Sequence, residues 1–449
     1  MRHGKYRYDL GKMRSTDGSA MYYEAYKKTS AYALQAAGMV ESTQVYKDFA
    51  SRIPSPRLLL YFQFILHREL FPFVRQACTI RWCKMNGVKM PGSEGAVEFP
   101  DSGLLDLVSS CWDFCEVCLA RVNPLYHYLK DGSFARKLGK KIVKPCIKSI
   151  DRTIYRLGAG NKRSVKDRCN GVVACHYGEG IDTSRRSDIN WYDGSGLSPE
   201  RMLIYFDIPD PKTGKPVAED VIAKIDKMGF NWVVLKHGVV QRKKYPFWAP
   251  PETPDGLFVK NNGNLTRIEQ WVRETGNNLL EEVHYWRSFH DDFNVKVDYI
   301  PEEGREHNIA QSIAFDISEN NFGALVGKQR SELFVPYKFD ALGFHPKHIF
   351  FTWSRRIEKY IEPNHEKIES LVVSGFPNRT TRRKISDKGS FSDKLRSRGS
   401  RFVVAFFDNY YGFDTPYIKR DVELAYTLLL NWAIEDPEVG LVIKSKKQE

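Results

Sequence analysis

The chain has 449 residues, 42% hydrophobic and 27% charged, which is globular composition with length for roughly two to three domains. Its formal charge of +13 calls for an anionic partner: nucleic acid, an anionic membrane surface or a phosphorylated substrate. No uncharged apolar run approaches the roughly 18 residues of a spanning helix, and the basic stretch Met1–Arg7 leads into no apolar core, so the expectation is a cytoplasmic protein without a secretory signal.

Residues 1–50 mix Tyr, Lys, Ser and Gly with little periodicity and read as a poorly structured basic N-terminus. Residues 51–170 read as a helical region. Arg57–Phe62 runs into Ile65 and Leu66, Ala77–Trp82 continues the pattern, and Pro91, Gly92, Gly95 and Pro100 break it. Cys111, Cys115 and Cys118 have the spacing of an iron–sulfur ligand set. They sit, however, where Leu104–Trp112 repeats apolar residues at three and four, which predicts a helix with cysteine as a small core residue. The eight cysteines are too scattered for a disulfide framework.

From Arg201 the texture becomes alternating strands and helices. Met202–Phe206 is a short continuous apolar run, as in a parallel strand buried on both faces. Val217, Val221, Ile222, Ile225 and Met228 share a helical face that Gly229 ends, and Phe230–Leu235 is the next strand. Leu265–Val272 marks a helix, and Val295–Ile300, Ile349–Trp353, Leu371–Gly375 and Phe402–Phe407 mark strands. A helix over Ile418–Ile434 leads to a last strand, Leu441–Ile443. The predicted fold is α/β, with two doubly wound Rossmann-like parallel sheets over 171–345 and 346–449 behind the helical region. Charge is concentrated in Arg136–Arg168 and Arg379–Arg401, and the latter reads as a mobile loop beside a cleft.

Ligands of open parallel sheets bind outside the carboxyl ends of the strands. That rule selects Asp207, then Glu302, Glu303, Glu306 and His307, then Ser374–Asn378, Asp408–Gly412 and Lys444–Lys447. Each residue type also serves as a turn former, a cap or a solvated charge. Together, Gly375, Asp408 and Lys444 at three successive strand ends suit a diphosphate: backbone donors, a polar clamp and a point charge. Gly323–Gln329 imitates a P-loop but is one residue short and lacks the magnesium-binding Ser or Thr. The eleven histidines are dispersed and no paired-aspartate clamp stands out, so neither a metal nor a bound cofactor is predicted.

His176–Asp182, Arg185–Trp191, Ser195–Arg201 and Phe322–Ser331 resemble segments of bacterial surface-polysaccharide biosynthesis proteins. The series strand–Gly-Phe-Pro, strand–Asp, long helix, strand–Lys is similar to the C-terminal domain of two-Rossmann (GT-B) glycosyltransferases and the related glycerophosphotransferases. The resemblance covers roughly residues 170–449. It implies metal-independent transfer of a sugar or polyol phosphate from a nucleotide-activated donor to a glycan or lipid-linked acceptor, with the acceptor on the first Rossmann-like domain and the donor on the second. Donor contacts would fall at Gly375, Asn378, Asp408 and Lys444, and the general base would be Asp207, Glu179 or His307. A donor domain of this type continues past the lysine strand, so the expectation is an incomplete donor pocket in which Lys444 matters only once the downstream segment is supplied. The basic surface would hold the protein at the inner face of the membrane. Two alternatives stand beside this: a nucleic-acid-binding protein using 379–401, disfavoured because that stretch lacks interleaved aromatics, and a non-catalytic scaffold of a glycan-assembly complex.

Overall fold

The computed structural model describes residues 13, 21–88, 96–99, 101–114, 117–121, 172–178, 180–181, 187–206, 219–235, 247–248, 250–251, 253–254, 256–260, 263–301, 306–318, 323–329, 346–355, 368–375, 391–407 and 419–444. Three helices open it: α1 (Met21–Ser42), α2 (Gln44–Arg52) and α3 (Leu58–Met85). A short parallel pair follows, β1 (Ala96–Phe99) and β2 (Cys118–Arg121), with α4 (Ser102–Ser109) between them.

The expectation of a poorly structured N-terminus is corrected from Met21 onward. Helix α1 buries Ala25, Ala33, Ala36, Ala37 and Val40, a stripe of small residues at helical spacing. Alanine contributes little apolar contrast, so aromatic and lysine neighbours hid the period. Cys111 lies just past α4 and donates through Sγ to the Val108 carbonyl, while Cys118 stands on β2; Cys115 is outside the described residues.

The main sheet contains β3 (Val172–His176), β4 (Met202–Phe206), β5 (Asn231–Leu235), β6 (Phe247–Trp248), β7 (Val295–Ile300), β8 (Ala324–Lys328), β9 (Ile349–Thr352) and β10 (Ser370–Val373). All pairs are parallel, in the order β10-β9-β8-β7-β3-β4-β5-β6. Every residue of β3 and β4 is buried, which is why Met202–Phe206 reads as an unbroken apolar run. Helix α5 (Glu219–Met228) packs Ile225 on one face, and Gly229 closes it at φ +73°. Helices α6 (Arg267–Asp292) and α7 (Glu306–Asp316) cover the opposite face through Leu279, Phe289, Ile309 and Ile313. Right-handed crossovers require this: outward steps on the two sides of β3 put their helices on opposite faces. The N-terminal helices share the α6–α7 core, forming a further layer on that side. A Thr266–Glu269 capping box starts α6.

The sequence placed a boundary at 345/346 and assigned the two following strands to a second sheet. Their hydrogen bonds instead join β9 to β8 and β10 to β9, extending the first sheet through Val373. What remains for the second is a parallel pair, β11 (Phe402–Phe407) and β12 (Val439–Lys444), crossed by α9 (Lys419–Glu435) and preceded by α8 (Phe391–Arg396). The P-loop imitation is strand β8, not a loop. No helix among the described residues is long and apolar enough to cross a membrane.

Candidate functional site

The chain steps from β3 through β4 and β5 to β6 on one flank, then returns through α6 to β7 on the other flank of β3. The topological switch point therefore lies between β3 and β7. At such a point the loops leaving the two strands diverge to opposite faces and leave a crevice at the carboxyl edge.

The loop after β3 is held by an internal carboxylate. Asp188 is fully buried, and its Oδ2 accepts from the backbone N–H of Gly178 (2.7 Å) and of Gly180 (3.3 Å). Its own N–H donates to the Gly180 carbonyl (3.3 Å), and the Trp191 indole donates to the Asp188 carbonyl (2.9 Å). Gly180 takes φ +145°, a conformation that favours glycine. From β8, the buried Lys328 ammonium donates to the Ser187 carbonyl (2.9 Å) and lies 5.8 Å from the Tyr299 ring. A Cβ on Gly178 would stand 3.5 Å from Pro301 Cγ, so the loops after β3 and β7 meet here. Further along the edge, Gln329 Oε1 accepts from the Trp353 N–H (2.9 Å), and Ser374 Oγ donates to the Thr352 carbonyl (3.2 Å).

Beneath this edge lies Cys175, whose thiol is pushed well above its ordinary range by burial and, secondarily, by the Asp188 and Asp298 carboxylates. It is inert as a nucleophile. On the helix-covered face, Asp298 of β7 accepts from the Tyr205 hydroxyl (2.9 Å), and Gln311 Nε2 reaches both groups (3.3 and 3.4 Å). His290 Nε2 stands 3.2 Å from Asp298, its ring stacked on Phe315 at 3.9 Å. All four polar groups are buried under α6 and α7, and they tie those helices to the sheet.

A second cluster sits at the other, amino edge. Arg57, 1% exposed, donates to Asp316 (2.6 Å), to Glu369 (3.4 Å) and to the Pro346 carbonyl (2.9 Å). His348 Nε2 lies 3.0 Å from Asp316. Asp316, His348 and Glu369 are spaced closely enough to hold a metal ion, but the guanidinium already supplies the cation there. Burial pushes the Asp316 carboxyl upward, and the His348 hydrogen bond and Arg57 charge outweigh it, leaving its pKa lowered.

The predicted residues divide among these places. Gly375 follows β10 at φ +77°, on the carboxyl edge of the eight-stranded sheet. Lys444 is the exposed last residue of β12, in register with Phe407 of β11 in the separate pair. The expectation that Gly375, Asp408 and Lys444 follow successive strands of one sheet is thus corrected. His307 stands on the first turn of α7, just past β7, and its side chain is not among those described. Glu179, Asp207, Asn378 and Asp408 lie outside the described residues, Glu179 between the two glycines that Asp188 holds. Of the basic stretch, Arg396–Arg401 leads into the amino end of β11, away from that pair's carboxyl edge.

Asp188, Lys328 and the strand β3 itself were missed by the sequence reading. Val172–Cys175 is a short apolar run behind a basic linker, and Asp188 and Lys328 enter the sequence analysis only within the segments that carry the resemblance and, for Lys328, the failed P-loop. Compared with models of protein families, with curated proteins and with solved structures, the chain matches none.

Proposed function

We propose that the protein is a metal-independent transferase of surface-polysaccharide biosynthesis, moving a sugar or polyol phosphate from a nucleotide-activated donor to a glycan or lipid-linked acceptor. The observation that supports this reading is an all-parallel, doubly wound sheet with its switch point at β3 and β7, followed in sequence by a separate parallel β–α–β unit. In this reading the first sheet faces the acceptor and the unit carrying Lys444 belongs to the donor side, in a GT-B arrangement. Glu179 and Asp207 follow β3 and β4 in sequence and His307 opens α7 after β7, and in this reading one of them is the base that deprotonates an acceptor hydroxyl. Lys444 and Asp408, at the ends of the separate pair, supply polar contacts to the departing nucleotide diphosphate, with Gly375 and Asn378 after β10 contributing from the first sheet. The anionic membrane face is the partner suited to the +13 charge.

The test is a thermal-shift series with UDP-, CDP- and GDP-linked donors. Stabilisation by one donor class, with the affinity derived from it weakened at least about tenfold by Lys444→Ala as one charge-assisted contact requires, is the expected result. Stabilisation by no donor overturns the reading.

A further inference from the structure

Consecutive backbone N–H groups aimed at one point form an anion-binding concavity, and in doubly wound folds such a concavity at the switch point commonly takes a ligand phosphate. Two amides of the turn after β3, those of Gly178 and Gly180, converge in this way on a single carboxylate oxygen of Asp188. We infer that Asp188 is a built-in anion that fills this nest, so that the ligand group meeting the loop after β3 is uncharged and not a phosphate.

Three further features hold the carboxylate in place. Asp188 is fully buried, and its own N–H donates to the Gly180 carbonyl, which fixes its main chain beside the glycines that its side chain meets. Trp191 clamps its carbonyl from the following turn. Lys328, the cation nearest the switch point among the described residues of β7 and β8, donates to Ser187, the residue before it. That ammonium secures the segment carrying the plug and does not point an open charge at the crevice. A second anion brought to the same amides would face Asp188 in a low-dielectric setting, where like-charge repulsion is strong. The half-buried Tyr177, packed on Phe206 at 5.0 Å, gives this part of the edge an aromatic wall instead.

The inference rests on the transferase reading only for what the crevice is used for: it makes this crevice the place of a hydroxyl-bearing acceptor group. The test follows amide hydrogen exchange of residues 176–181 together with thermal stability. In the unaltered protein, inorganic pyrophosphate leaves exchange at Gly178 and Gly180 unchanged; protection of these amides by pyrophosphate overturns the assignment. In Asp188→Ala the same amides exchange at least about tenfold faster, as expected on losing a charged acceptor. Formate, a carboxylate small enough for the vacated place, then restores both protection and melting temperature, whereas chloride does not. Recovery that is absent, or equal with chloride, overturns the assignment. Should Asp188→Ala fail to fold, Asp188→Asn keeps an oxygen acceptor, and the pyrophosphate arm on the unaltered protein still decides. A protein that passes both arms yet binds no nucleotide-linked donor keeps the Asp188 assignment and loses the transferase reading.

Discussion

His67, buried, and Glu282, partly buried, are two ionisable side chains of the helical layers, and each is shifted toward its neutral form. His67 packs beside Tyr26 (4.8 Å) and stacks with Phe71 (6.2 Å), and burial lowers its pKa from 6.5 to about 4. Glu282 of α6 is raised from 4.5 to about 7 by burial, with Arg68 opposing only in part. For His67 the folded value is depressed, so its stability contribution is present above 6.5 and is lost as pH falls toward 4. For Glu282 the folded value is raised, so its contribution is present below 4.5 and is lost as pH rises through 7. Each amounts to something on the order of 3 kcal/mol, and between 4.5 and 6.5 the two cancel. Urea denaturation of the unaltered protein is therefore expected to be nearly flat with respect to these groups across that window. His67→Phe should lose stability as pH rises, and Glu282→Gln should gain it. Flat profiles in both variants would show that neither group is shifted as described. Neither residue stood out in the sequence, because a polar residue on an apolar helix gives no sign of whether its atoms are buried.

Among the elements, α6 is the helix on which the layers converge, and its glycine shows how close they come. A Cβ on Gly276 would lie 2.4 Å from two ring carbons of Phe49 in α2, and that ring is fully buried. Gly38 of α1, by contrast, has nothing within 4 Å of such an atom. Alanine in place of glycine favours a helix by about 1 kcal/mol, whereas overpacking a close contact costs about 1–3 kcal/mol. Gly38→Ala is thus expected to raise the denaturation midpoint and Gly276→Ala to lower it. Equal shifts in the two variants would count against the α2–α6 packing. Helix propensity treats these two glycines alike, since glycine weakens a helix interior wherever it stands. Only the neighbour across the interface separates them.

At the scale of the whole molecule, the helical N-terminal region and the sheet share one core. Leu60, Phe62, Leu66 and Leu70 of α3 belong to the same buried cluster as Leu279 and Phe289 of α6 and Leu203 of β4. Arg57 joins α3 to Asp316 of α7 and to Glu369 beside β10. A chain starting at Val172 should therefore expose the outer face of α6 and α7, bind a hydrophobic dye and lose its sharp near-ultraviolet dichroism. A cooperative, dye-negative fold from that truncation would restore the separate helical region that the sequence suggested.

By itself the sequence determined the α/β class, the central strand Met202–Phe206, the α5 stop at Gly229 and the strand–helix–strand order of residues 402–444, because strand and helix periodicity and glycine stops are local properties of the chain. Helix α7 carries Ile309, Ala310, Ile313 and Ala314 at helical spacing, whereas the strand-end rule singles out only the charged residues at and before its start. Which sheet each strand joins was decided only by the tertiary structure, since β9 and β10 look alike whether they extend one sheet or begin another. The same holds for the candidate site. Strand-end rules bring forward Gly375, His307 and Lys444 one at a time, whereas the contact of Asp188 with Gly178 and Gly180 depends on a chain reversal that no local pattern encodes. Hydrogen bonds across such a reversal are set by where the sheet places its strand ends, and that is a property of the folded molecule alone.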